Sequence, residues 1–232
     1  MVTQTGPREV GAQSRRLPLV PLAGYSSHMG HTVQDGFDDD SWNGGYYETA
    51  MVLGPNNGPS ADQRLRTAIA ELWSSPSLTV AALGDRARWQ AIDSPSFATA
   101  PLDDLLRIYG TFADSTLGLV PFTSVVVREE NPDGEDWLYA CVPLGGIPCS
   151  GGYPFGDLEE SRSWREPLEG SLANLTLRVC EAVPLRLAAI GFEIAGIISV
   201  QADAIPSTTQ RPIGYVTKYA GKYRYWPTTA WT

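Results

Sequence analysis

The stretch PFTSVVVREENPDGEDWLYACV, residues 121–142, holds two β-rich runs separated by a cluster of turn formers. Val, Thr, Phe, Tyr and Trp crowd its flanks, and Asn131, Pro132, Asp133 and Gly134 interrupt them, which is the composition of a hairpin. The Asp133-Gly134 pair is suited to the positive φ angles of a two-residue turn, so a tight reversal is expected there. In the second run Trp137, Tyr139 and Cys141 alternate with Leu138, Ala140 and Val142, and a strand places the two sets on opposite faces. With a third β-rich run at Leu105–Phe112, the middle of the chain reads as an antiparallel meander of Leu105–Phe112, Pro121–Glu129 and Trp137–Val142.

Upstream of the meander a short strand is expected at Tyr46–Leu53, followed by the turn PNNGPS. Ser60 and Gln63 match a capping box, and Leu65, Ile69 and Leu72 recur at helical spacing, which predicts a helix over 61–74 closed by Pro76. Leu78–Leu83 reads as another strand, and residues 84–103 as irregular. Downstream, the Gly-rich loop PLGGIPCSGGYPFG leads into a second helix. There Pro167 suits a first turn, Leu168, Leu172, Leu175 and Val179 form an apolar stripe, and Val183-Pro184 ends it. LRLAAIGFEIAGIISV reads as a buried strand, and PIGYVTKYAG with KYRYW as a final hairpin about Gly221. Helices separated by groups of strands predict an α+β fold: a mostly antiparallel sheet with two main helices packed on one face. Residues 1–28, rich in Pro, Gly, Ser and Gln without periodicity, read as a flexible arm, leaving 29–232 as a single α+β domain.

Composition bounds the function. The chain has 232 residues, 26 acidic against 17 basic side chains, and a net charge of −9. The bases are 15 arginines and 2 lysines, which fits GC-rich bacterial coding. No Lys or Arg occurs from Leu17 to Gln63, nor from Glu129 to Ser161, whereas the tail after Asp203 carries only bases. Such a surface repels nucleic acid and favours a basic protein partner. No run of about 18 apolar residues suggests a membrane span. The start lacks the pattern of a secretory signal. Three cysteines without C-x-x-C spacing argue against a disulfide framework or zinc site, so a reducing, cytoplasmic location is expected.

Signatures of chemistry are few. The only histidines, His28 and His31, lie at the edge of the arm, a poor place to hold a catalytic base. With Asp35 and Asp38–Asp40 they form a conceivable metal set, but the spacing is not that of an EF-hand, and no metal or cofactor is expected. Cys149, in the Gly-rich loop, has no basic neighbour in sequence to make it a thiolate. Glu48 and Glu193 are isolated acids within apolar strand sequence; paired in one pocket they would serve as acid and base, and separately as structural ion-pair partners. The interleaved aromatics and cations of the tail suit a protein interface as well as simple strand formation.

The leading expectation is therefore a non-catalytic acidic binding module, of inhibitor or immunity type, that covers a basic partner. Asp38, Asp39, Asp40 and the 129–136 acids would steer the encounter, with Trp42, Tyr223, Tyr225 and Trp226 as anchors. The alternatives are a carboxylate enzyme using Glu48 and Glu193, or a subunit of a larger assembly that docks through its arm.

Overall fold

The computed structural model describes residues 40–84, 97, 99–131, 133–147, 158–194 and 211–230; the side chains of 158–160 are excepted. The 1–28 arm, His28, His31, Asp38, Asp39, Cys149 and most of the Gly-rich loop lie outside these residues.

Eight strands form one sheet: β1 (Tyr46–Pro55), β2 (Leu78–Leu83), β3 (Arg107–Asp114), β4 (Gly118–Arg128), β5 (Glu135–Pro143), β6 (Leu187–Phe192), β7 (Gly214–Tyr219) and β8 (Lys222–Trp226). Their spatial order is β2-β3-β4-β5-β1-β6-β7-β8, and every neighbouring pair is antiparallel. The helices are α1 (Ala61–Trp73), a single turn α2 (Leu102–Leu105) and the long α3 (Leu158–Ala182). The α+β architecture and the meander are as the sequence implies.

Both main helices cover one face of the sheet. Leu65, Ile69, Leu72 and Trp73 of α1 and Leu168, Leu172, Leu175 and Val179 of α3 are buried in one cluster. Met51, Ile108, Phe122, Leu138, Val142, Ile190 and Val216 of the sheet belong to the same cluster. Each such side chain contributes about 1.5–3 kcal/mol on removal from water. The few polar groups within this core are paired: Trp73 Nε1 donates to Ser124 Oγ at 2.8 Å, and Thr49 and Thr176 bridge β1 to α3 at 3.2 Å. Gly110 is required by close approach, because a Cβ there would stand 2.0 Å from the Thr79 carbonyl of bulged β2.

Glu169, a fully buried acid on α3, organises the C-terminal half. It accepts from Tyr47 Oη at 3.1 Å, from Tyr225 Oη at 2.5 Å and from the Thr228 N–H at 2.7 Å. Gly214 makes room for it, since a Cβ there would lie 2.4 Å from Glu169 Oε1.

Four local readings are corrected. Gly134 does not adopt positive φ; Glu129 N–H bonds the Glu135 carbonyl and Gly134 N–H the Asn131 carbonyl in a wider loop. Gly134 is needed there because a Cβ would approach the Glu129 carbonyl to 2.7 Å. Pro167 lies inside α3, which starts nine residues before it; the proline cannot donate to the carbonyl of Ser163, yet the helix continues through it. Ser60 makes no side-chain cap bond. Glu193 lies just beyond the end of β6, at φ 43°, and is exposed rather than held within an apolar strand.

Two predictions follow from this architecture. The β7–β8 turn places Ala220 at φ 49° and Gly221 at φ 82°, and a left-handed alanine costs roughly 1 kcal/mol. Ala220→Asn should therefore raise stability by about 0.5–1 kcal/mol, read as a shifted urea midpoint at constant slope. Burial, and then the adjacent Glu169 carboxylate, push the Tyr47 phenol far above its usual 10.0, with Arg165 opposing. The native state keeps this proton while the unfolded chain loses it, so the contribution is intact below pH 10 and declines above it. The unfolding free energy from urea titrations should fall on the alkaline side by about 1.4 kcal/mol per pH unit for this group. Tyr47→Phe should flatten that limb.

Candidate functional site

The face turned away from the helices, termed the far face, carries the alternate residues of each strand. One rung runs from Tyr109 through Thr123 and Cys141 to Glu48 and Gly191, each pair in direct register. The next runs from Arg107 through Val125, Tyr139, Ala50, Ala189 and Tyr215 to Trp226. Between the rungs lies a cavity of about 250 Å³, lined by Tyr46, Glu48, Arg107, Tyr109, Thr123, Val125, Val127, Tyr139 and Cys141.

Glu48 is the buried acid of this groove, 5% exposed. Cys141 Sγ donates to Glu48 Oε2 at 3.5 Å across the β1–β5 register. Opposite Glu48, Gly191 lies against Ile213 and Ile194, so apolar side chains close the β6 side. Thr123 donates its hydroxyl proton to the Ile108 carbonyl at 2.9 Å. Tyr139 stacks on Trp137 with centroids 6.2 Å apart. Beyond the groove, Ala50, Val52, Trp137, Leu187, Ala189 and Ile194 form a second apolar cluster on this face.

The electrostatics suit holding rather than transferring protons. Burial, and then the Glu48 charge, raise the Cys141 thiol well above its usual value, so it stays protonated and a poor nucleophile. The same two causes push the Tyr139 phenol up to about 12. Glu193 does not line the groove; its carboxylate lies against Gly45, where a Cβ would come within 2.4 Å of Oε1. Among the described residues no cluster of three or more His, Cys, Asp or Glu side chains could hold a metal ion.

The other sequence-derived candidates separate. Trp42, in the 3-10 turn Asp40–Trp42, packs edge-on against Tyr109 at 5.4 Å and so buttresses a groove wall. Asp40 is exposed in the same turn and accepts from Asn43 Nδ2 at 3.5 Å. Trp226 lies on the far-face rung and meets Tyr219 edge-on at 5.7 Å. Tyr223 and Tyr225 point to the helix side, where the Tyr223 hydroxyl bonds the Leu185 N–H and carbonyl at 2.7 and 2.8 Å, and Tyr225 bonds Glu169. Among the 129–136 acids, Glu129 accepts from Trp137 Nε1, Glu135 pairs with Arg186 at 2.9 Å, and Asp136 pairs with Arg128 at 2.9 Å. These three are engaged within the chain.

Sequence reasoning did not single out Arg107, Tyr109, Thr123, Tyr139 and Tyr46 as a site. The available signal was pairs two apart on their strands: Tyr46 with Glu48, Arg107 with Tyr109, Tyr139 with Cys141. Only strand order brings those pairs together.

No family model matches this chain, and no curated protein matches it. Among solved structures it is similar to a Pseudomonas aeruginosa T6SS protein, at 13% identity and a TM-score of 0.31, over 62% of this chain and 39% of that one. The chain thus spans well under half the length of that structure. No helix among the described residues is long and apolar enough to cross a membrane.

The groove chemistry has a direct check. Burial raises the Cys141 thiol well above its usual value and pushes the Cys180 thiol up to about 12, so both should resist iodoacetamide in the native protein at pH 8. Both should be alkylated once guanidinium unfolds the chain, as read by peptide mass mapping.

Proposed function

We propose that the chain is a non-catalytic binding module, of inhibitor or immunity type, that covers a basic protein partner with the far face of its sheet. The observation that carries this reading is where apolar surface remains exposed. Among the described residues the large hydrophobic side chains most open to solvent are Leu119 (61%), Val127 (43%) and Tyr219 (44%). By register all three belong to the far face, together with the Trp137–Tyr139 stack and Trp226. Apolar side chains gathered on one face mark interaction surfaces more often than isolated ones do. The net charge of −9 supplies long-range attraction for a basic partner, with Asp38, Asp39 and Asp40, close to Trp42 in the sequence, as the steering cluster. The raised Cys141 thiol and the separation of Glu193 from the groove favour binding over catalysis.

The test begins with a tagged chain incubated in extract of its host, its retained protein identified by mass spectrometry and purified for kinetics. Association should slow steeply with added salt. Leu119→Asp and Tyr219→Asp, made singly, should each weaken binding by about tenfold or more, with melting temperatures within about 2 °C of the parent. Salt-insensitive association with unchanged affinity in both variants would exclude this reading.

A further inference from the structure

The β7–β8 hairpin inverts the charge of the chain that carries it. Residues 211–230 hold Arg211, Lys218, Lys222 and Arg224 and no acid, in a protein of net charge −9. Lys218, Lys222 and Arg224 are exposed, and none of the three pairs with a carboxylate among the described residues. Elsewhere Arg128, Arg178 and Arg186 each meet one at 2.9 Å. Cations left unpaired together on one hairpin attract an acidic guest.

The same hairpin ends the sheet, with β8 last in strand order. Ala220 and Gly221, at φ 49° and 82°, form a two-residue turn closed by Tyr219 and Lys222. That register turns the main-chain groups of Lys222, Arg224 and Trp226 toward β7, and those of Tyr223 and Tyr225 outward. Such an edge is a template for a further strand. The opposite edge, β2, is interrupted between Val80 and Ala82, whereas β8 pairs without a break. We propose that the outer edge of β8 takes up an extended acidic segment of a protein partner as an added strand. The surface is an edge and its guest is acidic, so this inference stands apart from the docking of a basic partner on the far face.

An added strand would set its side chains alternately beside those of β8. On the far face its neighbours are Lys222, Arg224 and Trp226. The Arg224 guanidinium lies over the Tyr219 ring at 5.1 Å, which occupies its face and leaves its N–H edges for a carboxylate. Thr217 Oγ1 and Trp226 Nε1, on this face too, are buried without a hydrogen-bond partner, so donors here outnumber acceptors. On the helix side Tyr223 and Tyr225 have committed their hydroxyls to Leu185 and Glu169, and their rings offer apolar contact. The fitting guest therefore alternates acids with uncharged β-formers.

The full chain, isotope-labelled for NMR, would be titrated at low salt with a blocked heptapeptide alternating Glu and Thr. Controls are the Gln–Thr and Lys–Thr peptides, and the Glu–Thr peptide N-methylated at alternate residues. The acidic peptide should shift the Tyr223 and Tyr225 amides and slow their hydrogen exchange. The Gln–Thr and N-methylated peptides should each bind at least about tenfold more weakly. Lys222→Glu with Arg224→Glu should reverse the preference toward the Lys–Thr peptide; should that variant lose its dispersed spectrum, the peptide series on the parent chain decides. Equal binding of the Glu and Gln peptides would overturn the proposal, as would shifts confined to residues away from β8. So would N-methylation without effect, because acids would then be held without strand addition. Oligothymidylate binding the same amides more tightly than the acidic peptide would assign the edge to nucleic acid and overturn it too. Leu119→Asp, which tests the far face, should take the acidic peptide with parental affinity, so either reading can fail without the other.

Discussion

Glu169 places a carboxylate in the interior, where an unpaired charge would cost several kcal/mol and only a full set of donors makes it tolerable. The donors come from three separate parts of the fold: Tyr47 at the centre of the sheet, Tyr225 on its last strand and the Thr228 N–H beyond it. The site therefore completes only when α3, β1 and β8 occupy their native positions together. That requirement fixes which way the C-terminal hairpin faces. With Tyr225 and Tyr223 drawn to the helix side, the alternation of the strand leaves Trp226 and Arg224 on the other. The composition of the far face thus follows partly from a constraint on the near one.

The two faces differ in how they treat polarity. Under the helices, polar groups are few and closed upon each other, as with Trp73 and Ser124 or Thr49 and Thr176. On the far face, a buried acid, three tyrosines and a threonine border a cavity, and apolar side chains flank it. A core arranged like the first is a stability device. A surface arranged like the second is the one on which the proposed docking role rests.

Charge is redistributed by folding in a way that composition conceals. Arg128 joins Asp62 at 2.7 Å and Asp136 at 2.9 Å, so that one guanidinium ties the start of α1 to the β4–β5 hairpin. Arg178 reaches Glu71 at 2.9 Å and links the two long helices. Acids that look like a solvated run along the chain are, in three dimensions, joints between elements. The excess negative charge that acts at a distance lies elsewhere, Asp40 being an exposed example.

Much of this was legible in the amino-acid order, for reasons of local physics. Period-two alternation at Trp137–Val142 and the apolar stripes of Leu65–Leu72 and Leu168–Val179 report burial directly, and burial determines strand, helix and the α+β layering. The Gly221 hairpin was legible because a left-handed turn has few chemical solutions. What depended on neighbours distant in sequence was not legible. Gly134 looked like a φ-driven turn, but it serves to let the Glu129 carbonyl approach. Pro167 looked like a helix start, although the preceding residues continue the helix through it. The tail tyrosines looked like surface anchors until Glu169 and the Leu185 backbone claimed their hydroxyls. The groove itself exists only because β1 lies between β5 and β6, which sets Glu48 beside Cys141 although 93 residues separate them. Sequence by itself determined which residues seek burial and with what period; the tertiary structure decided which polar groups meet, because pairing across a sheet depends on strand order, and no local propensity encodes that order.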